Sequence, residues 1–178
     1  EGSGGSQQNS KMFSNSIPNI TAFPFYRAAN GSGSNDAWSI SFWIKQTQQN
    51  TPEATHTIMM STNGGSYYIW LSYTDAHKLG LIYGNLSSGL VGMNSDSTLS
   101  VNSWNHILVT YDGGTTGGDP ADAALYYSRF KIFINGVNSS LTSYLDGSGF
   151  TDAFVPANFY IGSSLVFAKR MVDTFIDE

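Results

Sequence analysis

The chain has 178 residues, of which 40% are hydrophobic and 14% aromatic, enough for one sizeable domain with a core of its own. Only 12% are charged, about half the share in an average soluble domain, and the formal net charge is −5. Eight Lys and Arg give little with which to meet phosphates, which argues against nucleic-acid binding. The lack of Cys excludes disulfides and thiolate chemistry, and no apolar run approaches a membrane span. The polar surface must therefore be built from Ser, Thr, Asn, Gln and Gly, a composition common among extracellular, adhesive and virion proteins.

Residues 1–10 (EGSGGSQQNS) read as a flexible linker, with a single domain expected over 11–178. Met12 to Arg27 carries Phe13, Ile17, Ile20, Phe23, Phe25 and Tyr26 but is broken by Pro18 and Pro24, which predicts an edge strand or an ordered arm. After the turn-rich Asn30 to Asp36, Trp38 to Lys45 alternates. Trp38, Ile40, Phe42 and Ile44 share one face, and Ser39, Ser41, Trp43 and Lys45 the other, which is the period of a half-buried strand. Gln46 to Ala54 predicts a polar loop. Ile58-Met59-Met60, Asn63-Gly64-Gly65 and Tyr67 to Tyr73 predict a hairpin, and Leu79 to Tyr83 extends it into a meander. Ser87 to Val101 is rich in Gly, Ser and Asn and predicts one or two short strands. His106 to Tyr111 and Phe130 to Asn135 alternate and end at Asp112-Gly113 and Asn135-Gly136, dipeptides that tolerate positive φ. Between them, Asp112 to Ala124 is too long and glycine-rich for a tight hairpin, and Ala121 to Tyr127 has a short helical option. Leu141 to Ala157 predicts mostly irregular chain, Asn158 to Ser163 a short strand, and Val166 to Glu178 a terminal strand-like run. Many short strands between turn signals predict an all-β sandwich.

Five of these stretches, in order, resemble the signature strands of the laminin-G-like, concanavalin A-like lectin/glucanase jelly-roll family. They are Ser39 to Lys45, Trp104 to Gly113, Ile132 to Gly136, Phe159 to Ser163 and Ile176 to Glu178. The resemblance implies a two-sheet antiparallel jelly roll and says far less about function. It has two departures. Thr174 stands where the family commonly has glycine, and the family continues past Ile-Asp-Glu with one more strand. The expectation is that the chain is a segment stopping short of that strand, or that a neighbouring chain supplies it. An open sheet edge there invites pairing with another chain.

Each candidate site has a plainer reading beside it. His106 sits mid-strand at a position the resemblance makes structural, and His56 and His77 fall in polar loops. No Gly-x-Ser-x-Gly elbow is present. The glycoside hydrolases of the family need two carboxylates across the sugar bond. Besides Glu1 the chain has only Glu53 and Glu178, and Asp173 to Glu178 lacks the leading Glu of the endoglucanase strand motif, so no enzymatic activity is expected. Asp112, Asp119 and Asp122 share one glycine-rich loop with the oxygen chemistry of a calcium site, or form a solvated acidic loop with a turn at Pro120. The triplets beginning at Asn19, Asn30, Asn85 and Asn138 match the glycosylation acceptor pattern, which an Asn/Ser-rich chain also produces by chance. Tyr126, Tyr127, Tyr144 and Trp70 lie on polar faces or near loops, where an aromatic ring either stacks a sugar or packs inside the sandwich.

Taken together, these features predict a non-catalytic recognition or adhesion module of a larger surface-exposed protein, outside the cell or on a cell or virion surface. Glycan is the ligand the family implies, with calcium the one cofactor in view. The alternative is a structural module of a virion, a decoration or fibre domain that packs on neighbouring chains. Neither reading involves nucleic acid or membrane insertion.

Overall fold

The computed structural model describes residues 13–16, 37–46, 55–63, 66–74, 76–85, 89–112, 127–146, 158–161 and 174–177. Within them the strands are β1 (Phe13–Ser16), β2 (Trp38–Gln46), β3 (Thr55–Asn63), β4 (Ser66–Thr74), β5 (Lys78–Asn85), β6 (Gly89–Thr98), β7 (Trp104–Tyr111), β8 (Phe130–Ile134), β9 (Val137–Ser139), β10 (Leu141–Asp146), β11 (Asn158–Ile161) and β12 (Thr174–Asp177). They form a seven-stranded sheet in the order β1-β11-β3-β4-β5-β6-β10 and a five-stranded sheet in the order β12-β2-β7-β8-β9. Every strand pair is antiparallel. This is the sandwich expected of a concanavalin A-like jelly roll.

Alternation explains which side of each strand faces the other sheet. In β7 every second residue is buried, and β2 and β8 do the same from Phe42 and Phe130 onward. The inner rows cross the five-stranded sheet in register, Phe42 beside Ile107 beside Ile134 and Trp38 beside Tyr111 beside Phe130. They meet Ile58, Ile69, Leu71, Leu81, Val91 and Met93 from the other sheet in one core. Each such side chain contributes roughly 1.5–3 kcal/mol by leaving water.

Several expectations are corrected. Ser87 to Val101 holds one ten-residue strand, β6, rather than one or two short ones. Val91 and Met93 give it a fully buried inner row, while Gly92, Asn94 and Asp96, poor strand formers, fill the alternate positions. Leu141 to Asp146 is strand β10, not irregular chain; a register shift between Ser143 and Leu145 breaks the period that would have announced it. His56 belongs to β3, paired with Tyr73, rather than to a loop. The end of the predicted loop at Gln46 is the buried last residue of β2. The proline-interrupted N-terminal stretch does supply an edge strand, β1.

The two ends of the sandwich are held differently. At one end Trp38, Tyr111 and Phe130 from the five-stranded sheet pack with Tyr83 of β5, with ring centroids 4.8 Å apart for Tyr111 and Phe130 and 5.0 Å for Tyr83 and Phe130. At the other end polar groups do the joining. His77, at positive φ in the β4–β5 turn, meets the Tyr73 hydroxyl and lies 3.2 Å from Gln46 Oε1, while its carbonyl accepts from Leu99 N–H. Burial pushes the Tyr73 phenol well above its usual pKa. Asn105, fully buried, bonds the backbone of Ser100 and Ser103 with both ends of its amide and so shapes the turn into β7.

Candidate functional site

The aromatic end of the sandwich carries an open cleft where β8, β9 and the start of β10 meet. The turn Tyr127 to Arg129 leads into it. This turn is tied to the end of β7, since Asp112 N–H donates to Arg129 carbonyl at 3.1 Å and Arg129 Nη1 donates to the Asp112 carboxylate at 3.4 Å. Beyond β8 the chain reverses through Asn135-Gly136, with φ of 52° and 80°. Two successive positive φ angles are the mark of the hairpin turn that matches strand twist, and Asn-Gly is the dipeptide that accepts it. Asn135 Oδ1 accepts from His106 N–H at 2.8 Å, and its Nδ2 donates to Asn105 Oδ1 at 3.3 Å, so the turn is anchored to β7.

β9 then passes directly into β10 and changes sheets at Ser140. The crossing is pinned to β6. Ser139 Oγ accepts from Ser97 N–H at 2.9 Å, and Ser140 carbonyl accepts from Asp96 N–H at 2.8 Å. The result is a cleft of about 370 Å³ lined by Tyr127, Ser128, Phe130, Lys131, Asn138, Ser139, Ser140 and Leu141. Phe130 is buried in the aromatic cluster, and Tyr127 and Leu141 rest half-buried against the core. Ser128, Lys131, Asn138 and Ser140 are exposed. The lining thus offers an apolar floor with one phenol, and a rim of hydroxyls, an amide and an ammonium that can donate and accept in several directions. None of the described lining residues is a carboxylate.

Tyr127 is the glycan-site candidate that the structure brings to this cleft. Tyr126 lies outside the described residues. Tyr144 falls in β10 at the register shift between Ser143 and Leu145. Trp70 is 8% exposed, packs with Met60 and Ile82, and donates from Nε1 to Thr57 Oγ1 at 3.1 Å, so its ring is enclosed. Of the three calcium candidates, Asp119 and Asp122 lie outside the described residues. Asp112 is exposed but faces the Arg129 guanidinium, a cation that competes with a metal for the same oxygen. Among the described residues no three His, Asp or Glu side chains gather to hold a metal ion.

Lys131, Ser128 and Leu141 carried no signal in the sequence. Asn138 was marked only as a glycosylation triplet. What brings them together is the hairpin, which Asn135-Gly136 marks locally, and the sheet crossing at Ser140, which no local pattern encodes.

A family model of the Concanavalin A-like lectin/glucanases superfamily, of laminin-G type, matches residues 24–178. The chain belongs to this superfamily. A search of curated proteins finds no significant match. Among solved structures, this concanavalin A-like domain is similar to domains LG4-5 of the mouse laminin α1 chain, with a TM-score of 0.52 and 12% identity over 92% of this chain. It spans 43% of that laminin chain, less than half its length. It is also similar to the CBM40 of the Ruminococcus gnavus IT-sialidase bound to α2,3-sialyllactose, with a TM-score of 0.52 and 13% identity over 94% of this chain and 91% of that one. At these identities the likeness is one of fold.

Proposed function

We propose that the domain is a non-catalytic glycan-recognition module of a larger surface-exposed protein, and that its binding site is the cleft bordered by Tyr127, Lys131 and Asn138. The observation that carries this reading is the lining of the cleft. A sugar ring has an apolar C–H face and a polar rim. The phenol of Tyr127 and the floor beneath it suit the first, and Asn138, Ser128, Ser140 and Lys131 suit the second. The described lining residues supply neither the acid nor the base of glycoside hydrolysis. The likeness of fold to a carbohydrate-binding module seen with sialyllactose agrees with the reading.

The test is a glycan array followed by calorimetric titration of the best ligand. A small polar ligand buries little surface, so affinity on the order of micromolar to millimolar is expected. Asn138→Ala is the clean variant because Asn138 is exposed and its removal leaves the core intact. It should weaken binding at least tenfold with an unchanged melting temperature, and Tyr127→Ala should weaken it further while costing some stability. Wild-type binding that Asn138→Ala and Tyr127→Ala leave untouched would refute the cleft. An obligate oligomer with no glycan ligand would refute recognition altogether and favour a structural module that packs on its neighbours.

A further inference from the structure

The turn between β8 and β9 is a reactive dipeptide as well as a bend. In an Asn-Gly pair the glycine nitrogen can attack the asparagine carboxamide carbon, because no Cβ on the glycine obstructs the approach. A bond forms from Gly136 N to Asn135 Cγ, and the Cγ–Nδ2 bond breaks. Ammonia leaves, carrying the proton that Gly136 N gives up. Water then opens the resulting succinimide ring. Opening at one carbonyl gives aspartate, and opening at the other gives isoaspartate, whose main chain runs through the former side-chain carbon. Water is the sole co-reactant, and base speeds the first step by taking the Gly136 N–H proton.

The site is open to that chemistry from outside. Asn135 and Gly136 are both exposed, and a Cβ placed on Gly136 would meet no atom within 4 Å. What restrains the amide, among the described residues, is β7. Asn135 Oδ1 accepts from His106 N–H at 2.8 Å, Nδ2 donates to Asn105 Oδ1 at 3.3 Å, and Asn135 N–H donates to His106 carbonyl at 2.8 Å. Asn105 is a firm partner, since it is buried and its own amide is fixed by the backbone of Ser100 and Ser103. Ring closure requires Cγ to swing onto Gly136 N and Nδ2 to depart. Both side-chain bonds to β7 oppose that swing, so the dipeptide reacts only after the hairpin lifts away. Such local openings are ordinary excursions of a folded protein.

The product would not fit the turn. Ile134 opposite Val137, Phe133 opposite Asn138 and Ile132 opposite Ser139 make a register set by a two-residue connection with positive φ at both positions. Isoaspartate lengthens that connection by a backbone carbon and removes the amide that bonded β7. β9 and the crossing at Ser140, which carry Asn138, Ser139 and Ser140 into the cleft, would lose the register that places them.

We propose that Asn135 is a latent deamidation site held shut by β7, and that detachment of the hairpin lets it convert irreversibly to isoaspartate, which undoes the turn that places β9. The consequence for glycan binding rests on the reading of the cleft as the recognition site; the modification itself does not.

The experiment is incubation of the full chain at mildly alkaline pH, folded in buffer and unfolded in urea, with the conversion of each asparagine followed by peptide mass spectrometry that resolves isoaspartate. Asn30-Gly31 and Asn63-Gly64 share the dipeptide and serve as clocks for the unfolded chain. In urea Asn135 should convert at a rate similar to theirs. In the folded protein it should convert on the order of tenfold more slowly than in urea, the factor imposed when two neutral hydrogen bonds must open first. Amide exchange at His106, the N–H that holds Asn135 Oδ1, should rise in step with Asn135 conversion as urea is added below the unfolding transition. Equal rates in the folded and unfolded chain would overturn the proposal. Faster conversion in the folded chain would show that His106 N–H activates the carbonyl instead of restraining it, and would overturn it equally. The isoaspartate form, refolded and separated, should lose His106 protection and, by calorimetry, the binding of the best array glycan. Asn135→Asp, which keeps the α-linked chain and an oxygen for His106 N–H, should retain more of that protection. An isoaspartate form as protected at His106 as the wild type would show that conversion leaves the turn intact, and would overturn the proposal. Should no array glycan bind, the cleft reading falls, while the conversion rates and His106 exchange still decide this one.

Discussion

Replacing Asn135 by Ala and, separately, by Gly tests how the β8–β9 hairpin, and with it one wall of the cleft, is held. Asn135 does two things at once. It occupies a left-handed backbone position at φ 52°, and its side chain bonds His106 N–H at 2.8 Å and Asn105 Oδ1 at 3.3 Å. Glycine keeps the first and loses the second, whereas alanine loses both. Each neutral hydrogen bond is worth about 1 kcal/mol net, and the longer one less. Forcing a Cβ into the left-handed region adds roughly 1 kcal/mol. Asn135→Gly should therefore cost about 1–2 kcal/mol and Asn135→Ala about 2–3 kcal/mol. In a domain of this size 1 kcal/mol moves the melting temperature by about 2–4 °C, which predicts losses of roughly 2–8 °C for Gly and 4–12 °C for Ala. Thermal unfolding followed by circular dichroism, with urea titration for the free energies, measures both. If alanine proves no worse than glycine, the backbone conformation is not what selects Asn135. If both variants match the wild type, the anchoring of the turn to β7 contributes nothing and the account of the hairpin is wrong.

Two further outcomes follow from the packing. A Cβ on Gly80 would sit 2.8 Å from Ser72 Oγ and 3.0 Å from Asn94 Oδ1, so Gly80→Ala should displace the Ser72 hydroxyl from Gly80 carbonyl and cost about 1–3 kcal/mol in a urea titration. Ser72→Ala added to Gly80→Ala removes the clashing oxygen and should restore part of the loss; no restoration would locate the strain elsewhere. The Tyr73 phenol, held neutral by burial, should make stability fall as pH rises past the ordinary phenol range near 10, because there only the unfolded chain ionises. Tyr73→Phe should lessen that fall, and an identical pH profile in the variant would show that Tyr73 is not its source.

The strands that the sequence announced, β2, β7 and β8, are those whose inner row is Ile, Val, Phe, Trp or Tyr, broken only by a buried amide at one end (Gln46 of β2, Asn105 of β7), and whose ends carry turn chemistry. Those it hid, β6 and β10, draw their stability from neighbours on either side or from a partner that tolerates a bulge, and neither leaves a local mark. The cleft was half legible for the same reason. Tyr127 could be picked out as an aromatic beside a loop, but Lys131 and Asn138 become its neighbours only because Asn135-Gly136 folds β9 back and Ser140 carries the chain into the other sheet.

Trp70 and Trp43 show where such reading stops. Both alternate out of phase with the core: Trp70 stands between the inward Ile69 and Leu71, and Trp43 between the inward Phe42 and Ile44. Period two assigns each to the outer face of its sheet, and for both that is correct. It is silent on whether the outer face is itself covered. On the seven-stranded sheet Met60, Trp70 and Ile82 form a second buried row, with the indole N–H satisfied by Thr57, so that ring contributes to stability. On the five-stranded sheet Trp43 and Trp104 stay nearly half exposed, and the Trp43 ring packs on the His106 imidazole. The same sequence signal thus yields a buried, structural indole in one sheet and a half-exposed indole in the other. The difference is set by burial of the whole face, a property of the sandwich rather than of the strand.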